Sequence, residues 1–460
     1  MKESYEKSAF LKKSEKVSFD KDHRKTLNYN ISRYDNAVAK GLDIYSNLEL
    51  AQKRAGHIKY KVINELDKYL IEFEDNFLKN GGKIIWARDT KEAIKEIHKI
   101  VEQHSLSKTV KAKSMVTEEI ELNRALEKKG VEVYETDLGE FIVQQAGQKP
   151  YHIVTPAMHM SKEDVAELYS EKFDVEPNLS PEQLTIYTRE LLREKFIDSD
   201  LGVSGANFLI ADSGSIAVTE NEGNALLSMS FPKVHIAISG IEKIIPYFED
   251  LDLYWPLLAT HGTGQHLTAY NSIISGPKAK GEQDGPEEMY LVLLDNGRTN
   301  LLAQESQRQA LSCIRCGACL NACPVYKNIG GHTYNTTYSG PIGAVITPHL
   351  KDFEKYKHLS FASSLCGKCT SVCPVKIPLH ELLLENRYDA VKKGTATTSE
   401  KRLNKWSTVA LSSRKLLDFT GGGTKNFLAK RFASEAWGPR REFPKIAPKS
   451  FSQLWKERKE

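Results

Sequence analysis

The sequence predicts an α/β protein: a mostly parallel sheet with helices on its faces, followed by a helical, cysteine-rich segment. Three observations carry this. Between residues 83 and 295 short apolar runs alternate with helical stretches, the pattern of parallel strands joined by crossover helices. All seven cysteines fall in one window, 313–373, of a chain of 460 residues. Around residue 300 the alternation stops and Gly and Pro become frequent, which marks a domain boundary.

Taken in order, residues 1–45 are polar and weakly periodic and are expected to form an arm with limited structure. Residues 49–80 read as helical, ending at Asn80-Gly81-Gly82, a natural helix stop. Residues 83–87 read as a strand, and Asp89-Thr90 is placed to cap a helix over 91–103. A strand over 109–113, a helix over 118–129 ended by Gly130, and a strand over 131–135 follow. A charged helical stretch covers 161–196. Residues 207–211 and 215–219 are expected to pair as a hairpin around Asp212-Ser213-Gly214, and 234–238 and 289–295 supply the last strands. Helices are expected after each Cys-Pro, and short amphipathic pieces around Gly421 to Gly423. The expected organisation is an arm and helix start over 1–60, an α/β domain over 61–300, a two-cluster domain over 301–390 and a basic tail over 391–460.

No run approaches 18 apolar residues, so no transmembrane helix is expected. No apolar h-region follows Met1-Lys2-Glu3-Ser4, so no signal peptide is expected. These point to the cytoplasm, with membrane association as an option because the charge is uneven. The net charge is +4, yet residues 391–460 hold 17 Lys or Arg against 6 Asp or Glu, a net +11, which leaves −7 on the first 390. Such a tail suits an anionic membrane face or an acidic partner, or is a plain solvated surface. No nucleic-acid motif accompanies it, so nucleic acid is not an expected partner.

The cysteine spacing is Cys313-x2-Cys316-x2-Cys319-x3-Cys323-Pro324 and then Cys366-x2-Cys369-x3-Cys373-Pro374. The first run is the spacing of bacterial two-cluster ferredoxins, in which the fourth cysteine ligates the other cluster. Zinc ribbons also use Cys-x2-Cys pairs, but they close with four ligands from two pairs and have no use for a four-cysteine run ending in Pro. A disulfide framework fits poorly with an odd number of cysteines. Aligned from its Cys-Pro end, the second motif places Ser363 where a first cysteine would stand. One cluster, a 4Fe–4S centre, is therefore expected on Cys313, Cys316, Cys319 and Cys373. The other is expected on Cys323, Cys366 and Cys369. Its fourth ligand is Ser363, water or a partner group, or the position is empty and the cluster is 3Fe–4S. Gly317 and Gly367 are expected to bring backbone N–H groups close to sulfur.

The chain resembles the B-protein family of the bacterial lactate-utilisation system. The resemblance rests on Lys111-Ala112-Lys113-Ser114-Met115-Val116-Thr117-Glu118-Glu119, on Glu135-Thr136-Asp137-Leu138-Gly139-Glu140 and on the Gly-rich stretch 202–214. Thr219-Glu220-Asn221-Glu222-Gly223-Asn224, Gly340-Pro341-Ile342-Gly343-Ala344-Val345, Trp437-Gly438-Pro439 and Lys449-Ser450-Phe451 add to it. It implies a LUD domain with a fold similar to ribose-phosphate isomerases and CoA transferases. It also implies a subunit of a three-protein system oxidising L-lactate to pyruvate without NAD. The implied partners are a cysteine-rich A protein, a LUD-domain C protein and a membrane or quinone-linked acceptor. The reading from a different class is a stand-alone α/β enzyme acting on an acyl or sugar-phosphate substrate, with regulatory clusters; the absence of flavin or nicotinamide motifs favours the first. A third reading is a zinc-stapled scaffold.

Other candidates each carry a bland alternative. The Gly-rich 202–214 stretch is a phosphate or carboxylate cradle or a structural turn. Glu220 and Glu222 follow a strand, where related folds place a catalytic acid. Asp137 and Glu140 are candidate general acid and base, or simply open a helix. Lys111 and Lys113 are candidate carboxylate binders or solvated lysines. His152 and His159 are candidate ligands or bases, and the segment from His261 to His266 lines a pocket or makes a turn.

Overall fold

The computed structural model describes residues 4–394, 398–432 and 442–458. Among the described residues ten strands arise in chain order: β1 Lys83–Ala87, β2 Lys108–Lys111, β3 Glu132–Glu135, β4 Leu201–Gly205, β5 Phe208–Ile210, β6 Ser215–Glu220, β7 Val234–Gly240, β8 Ile244–Ile245, β9 Tyr270–Ile274 and β10 Glu288–Leu294. Six form one sheet in the order β1-β10-β7-β4-β2-β3, and every pair is parallel. One cross-strand row runs Ile85, Val292, Ile238, Gly205. The central strand β7 is buried at every position, as a strand covered on both faces must be.

Alternate residues of β7 and β10 enter different cores. Ile236, Ile238, Tyr290 and Val292 pack under the helix Thr90–Gln103, while Ala237, Met289, Leu291 and Leu293 meet Phe73 and Phe77 of the helix Leu66–Lys79. Asp89 caps the first of these, accepting the Glu92 N–H at 2.9 Å. The hairpin β5–β6 forms as expected, but it joins β8 and β9 in a second four-stranded sheet instead of extending the first.

Several expectations are corrected. Residues 1–45 are not a loose arm: they contain the helices Tyr5–Phe19 and Lys21–Gly41, capped by Ser4 and Asp20. Few apolar side chains anchor them (Phe10, Leu27 and Ile31), so the periodicity was faint, but all three are buried in a core shared with Leu320, Tyr326 and Tyr334 of the cysteine segment. The helical reading of 49–80 holds, as two helices, Leu48–Asn64 and Leu66–Lys79, broken at Glu65. The helix over 118–129 is also two, Met115–Glu119 and Leu122–Glu127, with Glu121 left-handed between them (φ 52°). The 161–196 stretch breaks before Pro181 into Lys162–Phe173 and Pro181–Asp198, each opened by a serine capping box. Strand β4 replaces the first half of the supposed cradle. A Cβ on Gly202 would stand 1.9 Å from the Ser228 carbonyl oxygen, so this glycine serves close packing.

The chain divides into two compact units, Lys2–Ala390 and Val391–Glu460. The second contains the helices Thr398–Ser412, Arg414–Phe419, Gly422–Phe432 and Phe451–Glu457. Trp437-Gly438-Pro439 lies outside the described residues. Among the described residues no helix is long and apolar enough to cross a membrane.

Candidate iron–sulfur centre

None of the seven cysteines is disulfide-bonded. Gly317 and Gly367 are both left-handed, at φ 81° and 77°, and each turns the chain into a short helix, Ala318–Ala322 and Lys368–Ser371, that carries the next cysteine. Cys313, Cys316, Cys319 and Cys373 line one cavity, walled by Ile153, Ile314, Ile342, Val375, Ile377 and Leu379. Backbone N–H groups point at this sulfur set: Arg315 N–H donates to Cys313 Sγ at 3.4 Å and Ile377 N–H to Cys373 Sγ at 3.3 Å. Burial pushes the thiols of Cys316 and Cys319 up, and the Cys373 thiol to about 12, with the neighbouring sulfurs adding to the effect. Free thiolates are therefore unfavourable here, and a bound metal has to displace the protons.

The remaining three cysteines form a second group. Burial and the adjacent Cys323 and Cys366 push the Cys369 thiol to about 11. Cys366 is exposed, and the Lys368 amide holds its thiol below the usual range. Ser363 accepts the Leu365 N–H at 3.1 Å through its hydroxyl, and its carbonyl accepts from Arg387 at 2.8 Å.

The donor set fits iron–sulfur ligation. Four soft sulfurs surround one cavity with apolar walls and amide donors aimed at sulfur, the environment such clusters use. Arg315 also lines the cavity, stacked on Tyr338 at 4.4 Å, and its buried Nη1 has no hydrogen-bond partner among the described residues. A thiolate-ligated cluster is anionic and would meet that guanidinium.

The cysteine segment faces the carboxyl ends of the parallel strands, where α/β sheets place their ligands. Lys113, just past β2, donates to the Val154 carbonyl. A Cβ on Gly317 would come within 3.1 Å of His152 Cε1, so His152 packs against the cluster loop. Its Nδ1 accepts the N–H groups of Val154 and Thr155 at 3.1 and 3.2 Å, and burial pushes it down to about 3. The structure thus gives His152 a buttressing position.

The acidic candidates fall into two groups. Asp137 caps the helix Leu138–Gln145 by accepting the Glu140 N–H at 3.1 Å. Glu222 accepts the Leu138 N–H at 2.9 Å and is pushed up to about 7 by burial and by the Asp137 charge. Glu220 accepts the N–H groups of Ala225 and Leu226 at 2.7 and 2.8 Å. Glu140 instead belongs with Glu118 and Glu135 around Lys111, whose ammonium lies 2.8 Å from Glu135 and 3.3 Å from Glu118. Lys111 is therefore not a free carboxylate binder: it is the buried counter-ion of this group. Burial and the Glu135 charge raise the Glu140 carboxyl well above its usual range.

His159 stacks on Tyr151 at 4.5 Å and meets Gln148 at 2.7 Å. Of the segment read as pocket lining or a turn, His261 lies in the last turn of the helix Leu251–Gly262, buried, with Nδ1 2.8 Å from the Leu257 carbonyl and Nε2 3.1 Å from Gln52. His266 is exposed. Lys59, Glu119, Glu242, Lys243, Arg298 and Arg315 form a buried charged set beside Cys313 that no local sequence pattern singles out. Only the position of Glu242-Lys243 directly after a strand hinted at it.

The family described as the LUD domain matches residues 70–294, and the 4Fe–4S dicluster domain matches residues 309–377. Lactate utilization protein B of Bacillus subtilis (strain 168) is 46% identical over 372 residues, covering 80% of this chain and 78% of the relative. Lactate utilization protein B of Bacillus thuringiensis (strain Al Hakam) is 42% identical over 434 residues, 91% of each chain. A crystal structure of a DUF162 family protein from Deinococcus radiodurans aligns with 50% of this chain and 98% of its own, at 13% identity and a TM-score of 0.26. With this identity across nearly the whole length, and with a LUD domain followed by a dicluster domain, the chain belongs to the lactate utilization protein B family.

Proposed function

We propose that this protein is the electron-carrying subunit of a complex that oxidises L-lactate to pyruvate. The observation that supports it best is the sorting of seven cysteines into two groups, with Cys323 and Cys373 each placed in the group opposite to its sequence neighbours. Cys313, Cys316, Cys319 and Cys373 hold an inner 4Fe–4S cluster. Cys323, Cys366 and Cys369 hold an outer one, completed by a non-cysteine ligand or lacking one iron. Oxidation of the lactate C–O–H carbon to a ketone releases two protons and two electrons, and bound clusters accept and pass electrons singly. Two such centres match the electron count. The proton-removing step and the substrate pocket are assigned to a partner subunit, a reading favoured by the absence of flavin or nicotinamide motifs from this sequence.

The test is iron, zinc and acid-labile sulfide per chain after anaerobic purification, followed by lactate oxidation with and without the partner subunits. About eight irons indicate two cubes and about seven a three-iron outer cluster. Zinc without sulfide overturns the proposal. Turnover by the chain alone favours a stand-alone enzyme instead, in which Glu222 and Asp137 are the first residues to vary.

A further inference from the structure

At the carboxyl end of the parallel sheet, beside Cys313, lies a buried chain of ion pairs. Arg298 Nε meets Glu242 Oε2 at 2.6 Å, and its two terminal nitrogens meet the Glu119 carboxylate at 2.9 and 3.0 Å. Arg315 Nη2 reaches Glu242 Oε1 at 3.4 Å. Lys59, fully buried on the helix Leu48–Asn64, donates to the carbonyls of Glu242 and Ile244 at 2.6 and 2.9 Å. Lys243 follows Glu242, buried, with no hydrogen bond from its ammonium among the described residues.

The charges do not balance. Lys59, Lys243, Arg298 and Arg315 are four cations, against two carboxylates, Glu119 and Glu242. Buried unpaired charge is costly. Burial pushes Lys59 down to about 7 and Lys243 to about 8, so that an anionic neighbour is needed to keep both fully charged near neutrality. The excess points at one place. Arg315 lines the cavity of the four inner cysteines, with Nη1 unpartnered among the described residues. The outer group differs: Cys366 is solvent-exposed. A cluster with four thiolates and four sulfides is anionic in both redox states, and more so when reduced, so nearby buried cations favour the reduced form.

We propose that Lys59, Lys243 and Arg315 supply the counter-charge of the inner cluster and hold its reduction potential above that of the outer cluster. An electron entering at the exposed Cys366 side then comes to rest at the inner centre, against the sheet. This rests on the two-cluster reading above.

The test is a redox titration of the anaerobically purified full chain, followed by electron paramagnetic resonance. The outer signal is assigned with Cys366→Ser. Lys243→Met is expected to shift the oxidised-to-reduced ratio of the inner centre at a fixed potential by about tenfold towards oxidised, equivalent to about 59 mV for a one-electron centre. Lys59→Met shifts it the same way. Glu242→Gln removes a negative charge and shifts it the opposite way, and the outer centre stays put in all three. A packing lesion has no reason to reverse sign between Lys and Glu variants. Inner potentials that are unchanged, or that move in one direction for all three, overturn this inference alone. A chain without iron and sulfide overturns the two-cluster reading instead.

Discussion

Replacing Arg298 by Met tests the buried ion-pair chain as a structural element. Arg298 is 1% exposed at its side chain, and its partners Glu119 and Glu242 are 3% and 1% exposed. Burial alone pulls both carboxyls up, and Arg298 outweighs it, so that both lie below the usual range, Glu242 at about 2. Removing the guanidinium takes the main partner from two buried carboxylates, leaving Glu119 without an ion pair among the described residues and Glu242 with only the longer contact to Arg315 at 3.4 Å, a change that costs about 3–5 kcal/mol. Against a total stability of about 5–15 kcal/mol this is a large fraction. At about 2 °C per kcal/mol, the lower end for large domains, Tm falls by about 6–10 °C. The sign of the pH dependence follows. In the wild type the depressed carboxyls contribute stability that is present above about pH 4.5 and is lost as pH falls towards about 2. In the variant burial is opposed by fewer charges, and both carboxyls take up protons more readily. The difference between the two proteins is therefore greatest above neutrality and shrinks as the pH is lowered. The assay is thermal unfolding by circular dichroism across this pH range, with iron content measured in parallel. A Tm within about 2 °C of wild type, or a difference that grows on acidification, refutes the reasoning.

Four further outcomes are expected. Cys373→Ser removes a ligand from the inner cluster although its neighbours Cys366 and Cys369 serve the outer one; the inner resonance signal should be lost or altered while the outer one persists. Phe10→Ala, which empties a buried site 5.9 Å from Tyr334 and 5.3 Å from His358, should cost about 3–5 kcal/mol and speed cluster loss in air, read by the decay of visible absorbance. Gly202→Ala forces a methyl group into the Ser228 carbonyl and should cost at least about 1–3 kcal/mol by denaturant unfolding. Deleting residues 391–460 should leave iron and sulfide per chain unchanged, since that segment is a separate unit, and should abolish any salt-sensitive sedimentation with anionic vesicles.

Much of this protein is legible one residue at a time. The strands of the parallel sheet are runs such as Val234–Gly240, buried on both faces and therefore apolar at most positions, His235 and Ser239 excepted. The cysteines are separated by two or three residues within each motif, the spacing of two-cluster ferredoxins, so spacing alone reports them. The N-terminal helices were harder. Their hold on the rest depends on Phe10, Leu27 and Ile31, with polar contacts such as Arg24 to Asn328 at 3.1 Å and Lys327 to Asp35 at 2.9 Å, and partners some 300 positions apart leave no local pattern. Lys111 looked like a solvated strand lysine or a substrate binder. Its burial follows from Glu118 and Glu135 converging on it from two other elements.

The sequence by itself determined the α/β class, the two-cluster motif and the uneven charge, because each is written in composition, period or short-range spacing. Only the tertiary structure decided that the Cys313 group has an apolar-walled cavity while Cys366 is exposed, that Glu140 and Glu222 belong to different acidic groups, and that Lys59, Glu119, Lys243, Arg298 and Arg315 meet beside Cys313. The physical reason is common to all three. Desolvation and Coulomb interaction depend on distance in space, and these residues come together only where strand ends, helix termini and the cysteine loop meet at one edge of the sheet.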